Sequence, residues 1–431
     1  MIYTLLFVSS LIFARDFPVE LREQVGIYHY SLDNGLDLYV TKNPKAPVVS
    51  IFHWVRAGSL NEKKGITGIA HLFEHMMFRP VHKGEKGFFD KITALGGSAN
   101  ANTRYMATVY TTSVPANNLE GLLKIESDRF MNLKVTDELL DVERKAVWSE
   151  YSTKFDTNPV IDIWGKIYEA GFPGHPYEWT VIGYRQDLEK IKAKDCNAFF
   201  DRYYRPNNTG LFISGDIEPS KVYALVKKYY AGWKRGEDSS LPKEFQKNTK
   251  FTSVTGRIPS PSKQVLLGFR TKDEDKHSLE YMFINHLLFG SSHSLSDRRI
   301  KQNAKLASAV SDFNYDYDSG LVKGFFVLLP KATLSKLTAE VLKLKSDIEA
   351  MDEKNFSAYK QEFITSLLEG TLRNDSLNEA IALSWGKYKD LNIFLDWDEK
   401  VRALKKESIV NLLNKFYNKD NMIVVTTKAK E

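Results

Sequence analysis

The sequence predicts an α+β protein of two homologous domains, each a mainly antiparallel sheet packed by helices, the two forming a clam-like pair of halves. Three observations lead there. The chain has 431 residues, more than a single hydrophobic core usually organises. Alternating, β-branched stretches are interleaved with stretches of helical period, the mixture of an α+β fold. And the chain resembles itself at an offset of about half its length. "FFDRYYRPNNTGLFISGD", from Phe199, and "LLNKFYNKDNMIVVTT", from Leu412, each read as the end of an amphipathic helix, an Asn-bearing turn and a strand, with Asn208 opposite Asn421. Nearly the same offset lays "VVSIFHWVRAG", from Val48, on "KQVLLGFRT", from Lys263.

The elements follow in order. "MIYTLLFVSSLIFA" carries no charge before Arg15. It is shorter than the roughly 20 residues of a bilayer span and reads as the apolar core of a secretory signal over residues 1–14, cut near Ala14. The other reading is a core strand or an uncleaved anchor. "GIYHYSLDNGLDLYVTKN" reads as a tight hairpin turned at Asn34 and Gly35, and "VVSIFHWVRAGS" as the next strand. "GITGIAHLFEHMMF" reads as a helix that starts after Thr67 and Gly68. "ALGGSANANTRYMATVYTTSVP" is a β segment led by glycines, and helical stretches run from Asn118 to Asn132 and from Thr136 to Phe155. The stretch 235–262 is rich in charge, Ser and Pro and reads as a linker. It divides an N-terminal domain at 15–234 from a homologous C-terminal domain at 263–431.

Composition excludes some functions. The net charge of +6 is spread along the chain, which gives no footprint for nucleic acid. Acidic ligands or a membrane surface stay open. The single cysteine, Cys196, can form no internal disulfide and no Cys-based metal motif, and reads as a buried, inert thiol.

The chemistry lies in "IAHLFEHMMF". On a helix, His71 and His75 are one turn apart on one face, and Glu74 flanks that face. Two imidazoles so placed can bind one zinc with a carboxylate beside the open position, and the order is the inverted H-x-x-E-H. A lone histidine in an apolar helix is usually a core residue. Two histidines and a glutamate in five residues would each need a polar partner once desolvated. A third ligand is sought in "DELLDVERKAVWSEYSTKF", where Glu143 and Glu150 are about two helical turns apart and can point the same way. One can bind metal while the other orients a histidine.

The ordered set "GSLNEKKGITGIAHLFEHMMF", "LGGSANANT", "ERKAVWSEY", "GHPYEWTVIGYRQDLEKI" and "FFDRYYRPNNTGLFISGDI" resembles the pitrilysin and mitochondrial-processing-peptidase family of inverted-motif zinc peptidases, in its bacterial two-domain form. The resemblance runs from Gly26 to the C-terminus, strongly in the first half and diffusely in the second. It implies His71, His75 and Glu150 as ligands of one zinc per chain, with Glu143 supporting them from behind. It implies Glu74 as the general base that takes a proton from zinc-bound water and passes it to the leaving amine. It makes "GGSANANT" a sheet edge on which a substrate peptide adds as a strand, with Asn100 and Ala101 as contacts. Gly96 and Gly97 would let that strand bend, and Tyr177 is a further substrate contact. His175 reads as structural or exposed, His53 as a strand residue and His82 as a loop residue. With the signal, the bacterial form implies the periplasm.

The second half departs from the pattern. "INHLLF", from Ile284 to Phe289, lies opposite the zinc helix and keeps neither the Glu nor the second His, so no metal site is expected there. The family's second domain contributes an Arg and a Tyr, seven apart, that hold the substrate carbonyl. In "RRIKQNAKLASAV" Lys301 and Ser308 stand at those places. Lys lacks the guanidinium fork and Ser lacks the reach of Tyr. Arg298 and Arg299 are out of phase, and Tyr315 and Tyr317 come later. The expectation is a heterodimer in which a related partner subunit supplies the pair. The alternatives are a homodimer or a self-sufficient chain. The competing functions are a non-catalytic scaffold subunit and a metal-binding peptide chaperone.

Overall fold

A computed structural model describes residues 11–12, 26–43, 47–239, 250–271, 274–290, 292–312, 320–371, 374–389, 391 and 397–430. Apart from 11–12, the segment read as a signal lies outside these residues, as do Tyr315 and Tyr317. Among the described residues no helix is long and apolar enough to cross a membrane.

The first sheet contains β1 (Leu11–Ile12), β2 (Gly26–Ser31), β3 (Asp37–Lys42), β4 (Val48–Val55), β5 (Ser98–Thr103), β6 (Thr108–Pro115) and β7 (Thr209–Gly215), in the order β1-β2-β3-β7-β4-β6-β5. The second contains β8 (Thr252–Ser260), β9 (Gln264–Arg270), β10 (Ala307–Asp312), β11 (Leu321–Leu328) and β12 (Met422–Ala429), in the order β10-β11-β9-β12-β8. Within each sheet one neighbouring pair is parallel, β3 with β7 and β8 with β12. The helices that bear on the site are α1 (Ile69–Met76), α2 (Leu119–Asn132), α3 (Asp137–Phe155), α4 (Pro159–Gly171), α5 (Ala193–Tyr203), α6 (Asn374–Tyr388) and α7 (Lys406–Phe416).

The repeat is visible atom by atom. After α5, the buried Asn208 amide donates to Tyr203 O and to Arg56 O, at 2.9 and 3.2 Å. After α7, the buried Asn421 amide donates to Phe416 O and to Arg270 O, both at 2.7 Å. In each half the asparagine closes a helix end and ties the following strand, β7 or β12, to the strand beside it, β4 or β9. Buried backbone carbonyls need partners, and the same residue supplies them twice.

The expected domain boundaries do not coincide with the compact units. One unit comprises Met1–Lys145, Val181–Pro242 and Gly370–Trp397, the other Ala146–Thr180, Lys243–Glu369 and Asp398–Glu431. Each takes a helix from the other half of the sequence. In the first, α6 lies on β4 and β7. The Asn378 amide donates to Ser214 Oγ at 2.9 Å, and the Trp385 indole N–H to Asp37 Oδ2 at 2.9 Å. In the second, α4 covers β8, β9 and β12, and Asp162 accepts from Ile258 N at 3.2 Å and Arg257 Nε at 3.0 Å. The linker reading of 235–262 is likewise corrected, because Thr252–Ser260 is strand β8. Its partner β12 is far away in sequence, and Ser and Pro are tolerated on the outermost strand of a sheet.

In the first unit, α2 packs buried charge against the sheet. Arg129 Nε donates to Glu126 Oε2 at 2.7 Å, Thr112 donates to Glu126 Oε1 at 2.7 Å, and His53 Nδ1 lies 3.7 Å from the same carboxylate. Burial would raise the Glu126 carboxyl, but Arg129, His53 and the hydrogen bonds from Arg129 and Thr112 bring it below its ordinary value. Burial pushes His53 the other way, down to about 4, so it is neutral in the fold. An unfolded His53 takes up a proton near its ordinary 6.5. Its contribution is therefore complete above that pH and is lost as pH falls toward about 4.

Two outcomes are expected. His53→Gln flattens the fall of the urea midpoint between about pH 6.5 and 4.5, a window above the one in which Glu126 contributes a slope. Trp385→Ala, which empties a fully buried site on α6, lowers stability by about 3–5 kcal/mol in urea titration.

Candidate metal centre

Helix α1 starts at Gly68, whose φ is 86° and which has no side chain to cap the helix. The cap comes from Glu62. Its buried carboxylate accepts from Gly68 N at 2.9 Å and from Ala70 N at 3.0 Å. An anion at this end also complements the helix dipole. The turn before it is held by Asp187, which accepts from Thr67 Oγ1 at 2.8 Å and Gly65 N at 3.0 Å. Tyr184 N donates to Thr67 Oγ1 at 2.9 Å. Gly183 makes this approach possible, because a Cβ there would stand 2.3 Å from Gly68 N. Neither acid stood out in the sequence. Glu62 has no periodic relation to α1, and Asp187 is distant along the chain.

The apolar side of α1 anchors it. Leu72, Phe73 and Met76 are fully buried, and the Phe73 ring meets Tyr204 at 4.7 Å. On the polar side the rings of His71 and His75 lie 4.9 Å apart. Helix α3 faces them. Arg144 of α3 donates to Ile191 O at 2.8 Å and also to Leu188 O, and Asp137 at its start accepts from Ala193 N at 3.1 Å. The unit boundary falls inside this unbroken helix, between Glu143 and Glu150. His71, His75 and Glu150 each offer one ligand atom, and these atoms all lie within 4.8 Å of one another.

The donor set fits zinc. Two imidazoles and a carboxylate are the three protein ligands of many catalytic zinc sites, and ligands about 2.1 Å from a tetrahedral ion stand about 3.4 Å apart. Glu143 is buried behind His75, with Oε2 3.1 Å from His75 Nδ1, and Arg79 pairs with its other oxygen. A carboxylate at Nδ1 fixes the tautomer that leaves Nε2 as the ligand atom. Glu150 Oε1 pairs with Lys154 at 2.7 Å, a contact between side chains one turn apart that metal binding would rearrange. Glu74 is buried and accepts a hydrogen bond from Thr103.

In a second group, His82, Glu85 and Asp128, the ligand atoms also lie within 4.8 Å of one another. This group is more exposed, and its members are held in ion pairs, His82 with Asp128 at 3.3 Å and Glu85 with Lys91 at 2.7 Å.

Strand β5 is an edge strand. On one side Asn100 and Ala101 pair with Thr111 and Tyr110 of β6; on the other no strand follows among the described residues. Gly97 brings it in close, since a Cβ there would stand 2.5 Å from Ser113 O. Tyr177 belongs to the second unit, where its N–H donates to His175 Nδ1 at 3.2 Å and its ring packs on Phe172. Cys196 is buried, and burial pushes its thiol up to about 12. Lys301 pairs with Asp297 at 3.1 Å, and Ser308, on β10, donates to Val327 O. Arg299 is engaged by Asp347 and Glu340, and Arg298 lies over the Tyr359 ring.

Two family descriptions match the chain, Insulinase (peptidase family M16) over residues 38–183 and peptidase M16 inactive domain over 190–363. The chain belongs to peptidase family M16. This is the inverted-motif family that the sequence resembles, in the two-domain bacterial form. The chain is 25% identical to the zinc protease PqqE of Helicobacter pylori over 92% of both chains. It is 24% identical to the uncharacterized zinc protease YmxG of Bacillus subtilis, over 94% of this chain and 98% of that one. Among solved structures, a protease from Helicobacter pylori superposes with a TM-score of 0.84 at 22% identity, over 94% of this chain and 100% of that one. The first half of the periplasmic protease PqqL from Escherichia coli gives 0.73 at 17% identity, over 94% and 92%.

If Glu143 orients His75, Glu143→Ala weakens zinc binding about 10–100-fold in chelator competition while the folded signature is kept.

Proposed function

We propose that this M16 protein is a zinc endopeptidase that hydrolyses unfolded peptides or peptide segments. The convergence of His71, His75 and Glu150 from two helices carries the reading. Zinc, when bound there, supplies a Lewis acid that acidifies water and polarises the peptide carbonyl. His71, His75 and Glu150 hold it, and Glu143 fixes His75. Glu74 takes a proton from the attacking water on one carboxylate oxygen and returns it to the leaving amine. The open edge of β5 receives the substrate as an added strand, through backbone hydrogen bonds that tolerate many sequences, with Asn100 and Ala101 at the contact and Tyr177 as a further one.

The second half carries the other part of the proposal. Lys301 and Ser308 stand where an Arg and a Tyr would hold the substrate carbonyl, and the nearby Arg299 is already engaged by acids. We infer a heterodimer in which a related subunit supplies that pair, with a homodimer as the alternative arrangement. The apolar leader favours export to the periplasm.

The purified, zinc-loaded chain is offered a pool of unstructured peptides. Glu74→Gln abolishes cleavage while one zinc stays bound per chain, and chelation abolishes cleavage until zinc is restored. Cleavage that survives Glu74→Gln excludes the general-base role. If the carbonyl-holding pair is missing, the isolated chain is weak, and Lys301→Arg with Ser308→Tyr raises its rate about tenfold or more. A wild-type chain with full activity alone overturns the heterodimer.

A further inference from the structure

We propose that Thr103 is the positioning residue of the general base, a proposal that rests on the peptidase reading of Glu74. Thr103 is the last residue of β5, and its hydroxyl donates to Glu74 Oε2 at 2.5 Å. Both residues are buried. A hydroxyl donated to a carboxylate oxygen makes one of the stronger hydrogen bonds in proteins.

The chemistry of the pair follows from its geometry. A carboxylate can act as a base from either oxygen, and a freely turning one spends part of its time aimed wrongly. The Thr103 hydroxyl holds Oε2 and so fixes the direction in which the carboxylate group is aimed. The bond survives proton uptake, since Oε2 of the neutral acid still accepts from the hydroxyl. Thr is suited to the task because its β-branched side chain has a stiff χ1 on a strand. The strand is itself held in place. Thr103 pairs with Thr108 across the β5–β6 ladder, and the next residue, Arg104, forms an ion pair with Glu379 on α6.

The placement also ties the base to the substrate edge. Asn100 and Ala101 lie on the same strand, three and two residues before Thr103. A peptide added to β5 steadies the strand whose last side chain aims the base. Proton transfer, more than binding, is then what Thr103 controls.

The test compares the full-length chain with Thr103→Val, which keeps shape and removes the hydroxyl, and Thr103→Ser, which keeps the hydroxyl. Thr103→Val should lower kcat about 10–100-fold with KM within about twofold, and Thr103→Ser should restore most of it. A second readout does not depend on activity: the thermal midpoint of metal-free Thr103→Val, measured with Glu74 and with Glu74→Ala. Coupling through the bond predicts a larger drop with Glu74 than without it. Thr103→Val with kcat within about twofold of wild type, Thr103→Ser as impaired as Thr103→Val, or equal midpoint drops in both backgrounds would each overturn the proposal. Wild-type cleavage that survives Glu74→Gln would instead remove the base itself, and the catalytic role of Thr103 with it. The midpoint cycle would then still report the bond, so the two failures are told apart.

Discussion

A short helix that carries two imidazoles and a carboxylate into an apolar interior must have its polar groups answered from other parts of the chain. The rest of the first unit can be read as that answer. Helix α1 has no capping side chain of its own, so Glu62 closes its first turn. Asp187 and Tyr184 hold the turn before it. The buried Glu143 lies behind His75 and pairs with the half-exposed Arg79, and Thr103 meets Glu74. Each partner comes from a different element, so the helix is constrained at both ends and along its polar face. An unpaired carboxylate or imidazole in such a setting costs several kcal/mol, which is why these contacts are built into the fold.

The two halves share one strand order and one asparagine device, yet they have diverged where chemistry would lie. The strand equivalent to β5 is β10, also an edge. Near it stand Lys301 and Ser308, tied to Asp297 and to a strand carbonyl. The stretch opposite α1 is a buried apolar segment, Leu287, Leu288 and Phe289. Duplication thus preserved what holds a sheet together and left the polar groups free to change. Packing constrains the whole sequence of a strand, whereas a site depends on a few side chains.

Local signals were legible because they are local. The amphipathic period of α1, the Asn34–Gly35 hairpin and the β-branched run of β4 follow from sequence neighbours. The histidine spacing fixes a shared helix face without any tertiary information. The hidden features depended on distant partners. Strand β8 looked like a linker because its pairing with β12 lies far along the chain. The boundary at 234 looked natural because no local period tells that α6 would lie on β4 and β7, or α4 on β8 and β12.

What the sequence by itself determined is the placement of the candidate residues: the inverted histidine motif, the two downstream glutamates and the repeat. These are matters of residue type and spacing, which the helical and strand periods convert directly into faces. What only the tertiary structure decided is which polar group meets which. It set Glu143 against His75, Thr103 against Glu74 and Glu62 against the start of α1. Those contacts span up to 68 residues of chain, and no sequence period reaches so far. They are chosen by burial, since a desolvated donor or acceptor takes the partner that packing brings within hydrogen-bond distance.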